Sequence, residues 1–418
     1  LELDRGEALA ALGRDAEAAE CYRRSIDGLR QTIQRDDPRS HRELAVLRFK
    51  LGQALQRLGR HEEAAHELAT AVEILANHVE DSNFVQAMFL GELARSQQRL
   101  GMVPERAQSL NRVVTLVRDL GPNVPYAVHL TRMQAMEKLA DTMRRDPTLR
   151  QKGISLLAGV VELASDLAAK DPTGQGFTSA HAYDSLGRAQ AESGDHAEAT
   201  INLRYAANAF DVLVELTPEG DPDRRPIEGS LVLALVSLGD SCRMLEQWEA
   251  ATTALDRAVQ LSHRMTEQSP GEPIASLQLV SSLRSMAALL EQTDRPAEAT
   301  IALDDALRNA QLIAELTAGD QHWEEVTSHV LGVTLIEVAS LHRRQDRTDD
   351  AIEYYEEALK YWKARHKRHP DGLSGAMLVQ IGSSLTEFLI EMGLDDRAQQ
   401  VMGSVQEALD PQDDDTPT

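Results

Sequence analysis

Leu51-Gly52, then Gly59-Arg60-His61-Glu62-Glu63-Ala64, then Leu68 and Ala71: this stretch decides the fold. It returns as Leu186-Gly187 with Gly194-Asp195-His196-Ala197-Glu198-Ala199, Leu203 and Ala206. It returns again as Leu238-Gly239 with Trp248-Glu249-Ala250-Ala251, Leu255 and Ala258, and as Asp349-Asp350-Ala351 with Tyr355 and Ala358. Ala64, Leu68 and Ala71 stand at i, i+4 and i+7, so they share one helical face. The small side chains let a neighbouring helix approach closely, while the large one fills the gap to the next pair. Gly13, Gly59, Gly101, Gly194 and Gly393 precede these helices and supply the left-handed residue of a helix-ending turn, with Asp294 and Asp346 in the same slot. The unit is a helix, a short turn and a second helix.

The small residue after each turn serves as a ruler. It falls at Ala18, Ala64, Arg106 or Ala107, a blurred point near Lys152, Ala199, Ala251, Ala299, Ala351 and Ala398. Steps of about 42 to 52 residues predict an all-α solenoid of about nine helix pairs. Residues 218–230, opening on Pro218-Glu219-Gly220-Asp221-Pro222-Asp223, lengthen one step and are expected to form an irregular connector. They separate an N-terminal array (1–217) from a C-terminal one (231–408). Gly121-Pro122-Asn123-Val124-Pro125 and Asp171-Pro172-Thr173-Gly174 are expected to be irregular too. The acidic tail, 409–418, is expected to be disordered.

Composition narrows the function. Of 418 residues 42% are hydrophobic, enough for a continuous core, yet only 4% are aromatic, so packing rests on close helix contact. Lys and Arg number 43 against 67 Asp and Glu, and the formal charge of −24 repels phosphate backbones, so nucleic acid is not the expected partner. Cys21 and Cys242 are too few for a disulfide framework, which fits a reducing, cytoplasmic setting. No run of about 18 apolar residues marks a membrane span. The chain starts at Leu1, almost in register with a first helix, whereas a solenoid end needs a polar cap. The expectation is that upstream residues were removed or form another domain.

These motifs resemble tetratricopeptide (TPR) repeats, antiparallel helix pairs stacked into a right-handed superhelix whose concave face binds partners. The usual period is 34 residues; the longer one here resembles the long-helix variants of kinesin light chains or of arrays appended to bacterial kinases and caspase-like peptidases. The family's first-helix aromatic survives as Tyr183 and Phe49. The fourth unit lacks the turn glycine and carries Asp146-Pro147. The resemblance implies a protein-interaction scaffold. A different reading makes the chain the regulatory or sensor arm of a larger enzyme, with a kinase or caspase-like peptidase domain upstream or on a partner chain.

Chemistry is sparse. His61 and His66 are separated by five residues, not the four that place two zinc ligands on one helical face. His366 and His369 sit in Lys363-Ala364-Arg365-His366-Lys367-Arg368-His369, a basic helix end that complements the dipole. There is no phosphate-binding glycine loop and no nucleophile elbow, and Cys21 reads as a buried structural thiol. The expectation is no catalytic residue, cofactor or metal. In the family, first helices line the groove. The register places there Phe49, Gln53, Gln56 and Arg57, then Arg95, Gln98 and Arg99, then Arg144 and Arg145, then His181, Asp184 and Arg188. Asp240 and Arg243, Arg284, Arg343 and Arg344 follow, with Val236 and Ile336 as apolar contacts. Arginine forks bind carboxylates and phosphates bidentately, so the expected partner is a protein or peptide bringing an acidic or phosphorylated segment. Helix-end arginines also answer the dipole without any ligand.

Overall fold

A computed structural model describes residues 2–32, 37–118, 126–144, 146–170, 172–320, 323–368, 370 and 372–409. Among them are eighteen α-helices and no strand. Contacts group the chain into two compact units, Leu1–Gly194 and Asp195–Thr418. The first holds the pairs α1 (Glu2–Ala11) and α2 (Asp15–Thr32), α3 (Pro38–Arg57) and α4 (His61–His78), α5 (Asn83–Arg99) and α6 (Val103–Arg118), α7 (Tyr126–Arg144) and α8 (Arg150–Lys170), then α9 (Pro172–Glu192). The second opens on α10 (His196–Leu216) and continues with α11 (Arg224–Met244) and α12 (Trp248–Gln268), α13 (Pro273–Gln292) and α14 (Pro296–Leu316). It ends with α15 (Glu324–Arg344) and α16 (Thr348–Arg368), α17 (Gly372–Glu391) and α18 (Asp395–Leu409). Within each unit every helix packs on the one before and the one after it, so the fold is an all-α solenoid.

One backbone hydrogen bond settles the repeat register. The amide of the ruler residue donates to the carbonyl four residues back, at the start of the second helix: Ala18 to Arg14, Ala64 to Arg60, Ala199 to Asp195, Ala251 to Gln247, Ala299 to Arg295, Ala351 to Arg347 and Ala398 to Leu394. The same bond runs from Arg106 to Met102 and from Gly153 to Leu149. The third ruler residue is therefore Arg106, not Ala107, and the blurred fourth is Gly153. In place of the turn glycine, Asp146 Oδ1 accepts from the Thr148 amide at 2.8 Å and its hydroxyl at 2.7 Å, an Asx turn that feeds α8. The seven ruler alanines are buried. The expected turn glycines have positive φ, as do Asp294 and Asp346; Glu246, at φ 58°, joins them unforeseen.

Close approach is the reason for the small residues. A Cβ on Gly52 of α3 would lie 2.7 Å from Leu68 Cγ of α4, and one on Gly239 of α11 would lie 2.5 Å from Leu255 Cγ of α12. Gly6 meets Tyr22 and Gly382 meets Val405 in the same way. Trp362, fully buried, occupies the space over Gly332. Cys21 and Cys242 are buried free thiols, and burial raises both pKa values.

Two expected irregular runs are shorter than read. α9 starts at Pro172, so the run at 171–174 is helical past Asp171, and α11 starts at Arg224, so 224–230 are helical. Arg224 closes the remaining gap: its Nη1 donates to the Val214 carbonyl at 2.8 Å and to that of Thr217, while Nε donates to Glu228 at 3.1 Å. α13 is apolar enough to cross a membrane by length and composition, at a mean hydropathy of 1.2, but Leu279, Val280, Leu283 and Leu290 are buried in the core between α12 and α14. The expected loop at 121–125, with Arg145, His369 and residues 410–418, lies outside the described residues.

The packing predicts opposite outcomes for two glycines of the first unit. Gly52→Ala drives a Cβ into Leu68 and lowers stability by about 1–3 kcal/mol, whereas Gly91→Ala, with nothing within 4 Å, raises it by up to about 1 kcal/mol. Urea unfolding distinguishes them; equal losses would remove Leu68 as the limit on helix approach.

Candidate functional site: a charged cleft on the first helices

The first helices of neighbouring pairs touch one another, α3 on α5 and α5 on α7 in the first unit, α11 on α13 and α13 on α15 in the second. Phe49 stacks on Phe89 across α3 and α5, ring centroids 4.0 Å apart at 10°. Gln53 is half-buried one turn along. Gln56 Nε2 donates to the Glu92 carbonyl at 2.9 Å and to Ser96 Oγ at 2.8 Å, tying the same two helices.

In the second unit the expected groove arginines have carboxylates in their forks. Arg284 Nε and Nη2 donate to both oxygens of Glu337 at 2.5 Å, from α13 to α15. Arg344 returns the link to Glu291 of α13. Arg343 Nη2 donates to Glu391 of α17 at 2.6 Å and lies 4.9 Å over the Phe388 ring. Arg243 pairs with Asp240 at 3.4 Å, and Asp240 accepts from Ser285 of α13 at 2.9 Å. Val236 is buried and Ile336 half-buried.

The first unit differs. Arg57 is satisfied by Asp15 at 2.6 Å, but Arg95 reaches only Glu92 of its own helix, at 3.1 Å. Arg188 lies 3.6 Å from Asp184, beyond a good hydrogen bond. Arg99 is exposed with no ion pair among the described residues. Arg144 donates to Asp141 and to Glu192 of α9, each at 3.1 Å. Arg144 and Arg188 line a cleft of about 330 Å³ together with Gln98, Arg106, Glu137, Lys138, Asp141, Leu157 and Ser185. Four cations face two carboxylates, in a chain of net charge −24.

Arg106 is the departure from the repeat that builds this cleft. It holds the position that alanine or glycine takes in every other second helix, and only 6% of it is exposed. Its Nη2 lies 4.0 Å from Asp141 Oδ2 of α7. A side chain too long to lie flat between paired helices thus carries its charge toward the first-helix face.

The neighbouring charges are displaced from their ordinary behaviour. Burial pushes the Glu137 carboxyl upward against His181 and Lys138. Burial also raises Asp184 despite Arg188 and His181; this side chain is 6% exposed and its Oδ1 has no partner. Lys138 is exposed at the cleft mouth, yet partial desolvation pushes it down and Arg95 and Arg106 push it further, with Glu92 and Glu137 opposing. Perturbed groups of both signs in one cleft mark a functional-site candidate with a physical cause. Sequence reading placed Gln98, Arg144, Asp184 and Arg188 on this face and missed Glu137, Lys138 and Arg106. The arginine in an alanine slot was the available signal.

A carboxyl with a higher pKa folded than unfolded binds more protons in the folded state, so its contribution to stability falls as pH rises between the two values. Asp184→Asn removes that loss. The stability of the variant relative to wild type should rise from about pH 4, the ordinary carboxylate range, toward neutrality, read from urea midpoints at several pH values. A constant difference would contradict the burial of an ionised Asp184.

Comparison with known proteins agrees with this architecture. Tetratricopeptide-repeat models match residues 45–78, spanning the end of α3 and α4, and 332–371, spanning α15 and α16. No curated protein sequence matches the chain. Solved structures share the fold, among them two that align over most of this chain. The apo form of the quorum sensor NprR from B. thuringiensis aligns at 11% identity over 98% of this chain and 97% of its own, with a TM-score of 0.51. The apo form of RapI aligns at 13% identity over 76% of this chain and 97% of its own, also at 0.51. With helix pairs in one register throughout and the repeat matched in both units, this chain carries tetratricopeptide repeats.

Proposed function

We propose that the chain is a non-catalytic scaffold that holds an extended segment of another protein across the first helices of its N-terminal unit. An acidic or phosphorylated side chain of that segment anchors among Arg106, Lys138, Arg144 and Arg188. The observation that supports this is Lys138, whose ammonium has neither hydrogen bond nor ion pair among the described residues and is crowded by Arg95 and Arg106. An incoming anion supplies the missing counter-charge and strengthens each cation it meets. The Phe49–Phe89 stack offers an apolar platform two pairs away, with Gln53 beside it. Arg95 and Arg99, exposed on the rim, act chiefly on the rate of encounter. Arg243, Arg284 and Arg343 serve a different purpose, bracing neighbouring residues or pairs through carboxylates already in hand.

The test is a peptide array containing acidic, phosphorylated and charge-neutral versions of the same segments, probed with the full chain. The best binder is then titrated by fluorescence anisotropy at two salt concentrations. Lys138→Glu with Arg188→Glu should weaken binding at least tenfold, in line with about 1.5–3 kcal/mol for a charged hydrogen bond, and Arg343→Ala should change it less than about twofold. No preference for acidic segments, or equal losses in both variants, would overturn the proposal.

A further inference from the structure

Helix α10 exposes four large apolar side chains on one face. Ile201, Tyr205, Val212 and Leu216 are 51, 60, 54 and 70% accessible. They stand two, six, thirteen and seventeen residues past the ruler alanine Ala199. The same positions hold Thr253, Arg257, Arg264 and Gln268 in α12, and Glu353, Glu357, Ala364 and Arg368 in α16. In α8 they hold Ser155, Gly159, Asp166 and Lys170. The outward face is thus polar in α8, α12 and α16; α14 shares exposed Ile301, Leu312 and Leu316 but has Asp305 where α10 has Tyr205, so α10 carries the fuller apolar stripe, which solubility alone disfavours.

The stripe reads alike from both ends. Ile201 and Leu216 are equidistant from the midpoint between Asn208 and Ala209, and so are Tyr205 and Val212. With Asn208 included, the spacings are four, three, four and four, the pattern of a helix packed lengthwise on another. We infer that α10 docks on α10 of a second copy of this chain, antiparallel, about a two-fold axis at Asn208–Ala209. Ile201 then meets Leu216 of the second copy, and Tyr205 meets its Val212. An isologous contact requires such self-complementarity.

The charges on one flank fit the same arrangement. Arg204 and Glu215 are both exposed, and neither has an ion pair among the described residues, though Arg204 also reaches the Cys242 thiol of α11. Eleven residues separate them, roughly 16 Å along the helix axis, so they do not reach each other within one copy. In the antiparallel pair Arg204 faces Leu213 of the second copy, about 3 Å along the axis from its Glu215. Symmetry makes two such bridges. Asn208 beside the axis faces its own counterpart, a polar pairing that fixes register. The two stripes together cover on the order of 800 Å², the low end for specific contacts, so the dimer dissociates on dilution.

Sedimentation of the full chain over a concentration series tests this directly. Wild type should pass from monomer to dimer; Arg204→Glu or Glu215→Arg alone should weaken the dimer at least tenfold, and the two together should restore it. Asn208→Cys should form an interchain disulfide on mild oxidation, whereas Thr253→Cys on α12 should not. A chain that stays monomeric to the order of several hundred micromolar overturns the inference. So does a dimer indifferent to the single charge swaps, one that the double swap fails to restore, or equal crosslinking at 208 and 253.

Discussion

Two helices approach as closely as these pairs do only where one of them presents almost nothing beyond Cα. Gly52 under Leu68, Gly239 under Leu255 and the buried ruler alanines meet that condition pair after pair. Dense packing with few aromatics follows, because the core is made by proximity rather than by ring volume. So does modularity: each pair depends on its neighbours alone, and one pair can change character without unravelling the rest.

The third pair makes such a change. Arginine at the ruler position replaces close contact with a buried guanidinium, and the next pair answers with glycine at its own ruler position, Gly153. A Cβ there would lie 2.9 Å from the Ala140 carbonyl oxygen. Between these two irregular pairs lies the charged cleft. In the second unit, by contrast, arginines on first helices find carboxylates one repeat away, and Arg284–Glu337, Arg344–Glu291 and Arg343–Glu391 brace successive pairs. The same residue type on the same helix face is a strut there, as are Arg57 and Arg144 in the first unit, whereas Arg95 and Arg188 meet only carboxylates of their own helix and Arg99 has no ion pair among the described residues. The difference lies in whether the neighbouring repeat supplies a carboxylate.

Helix pairing was legible in the residues because small–large–small spacing and turn glycines are local signals. The fourth turn was blurred because Asp146 and Thr148 make it from side-chain hydrogen bonds rather than glycine. Glu246 went unseen because nothing in its chemistry announces a left-handed backbone. For the site, reading first helices identified Arg144, Asp184 and Arg188, but not which arginines were occupied. Glu337 lies 53 residues from Arg284 and Glu391 lies 48 from Arg343, so pairing became visible only once repeats were superposed in space. Glu137 and Lys138 were missed for a related reason: their charges are perturbed by desolvation and by Arg95 and Arg106 on other helices, which adjacency in sequence does not record.

The central claim is that the Lys138 ammonium, crowded by Arg95 and Arg106, takes its counter-charge from a bound partner. The measurement closest to it is an NMR titration of Lys138 in isotope-labelled, dimethylated protein, free and saturated with an acidic peptide. Lys138 should titrate below the ordinary lysine range in the free chain and move upward when the anion binds. An ordinary value in the free chain, or one unmoved by the peptide, would contradict the account.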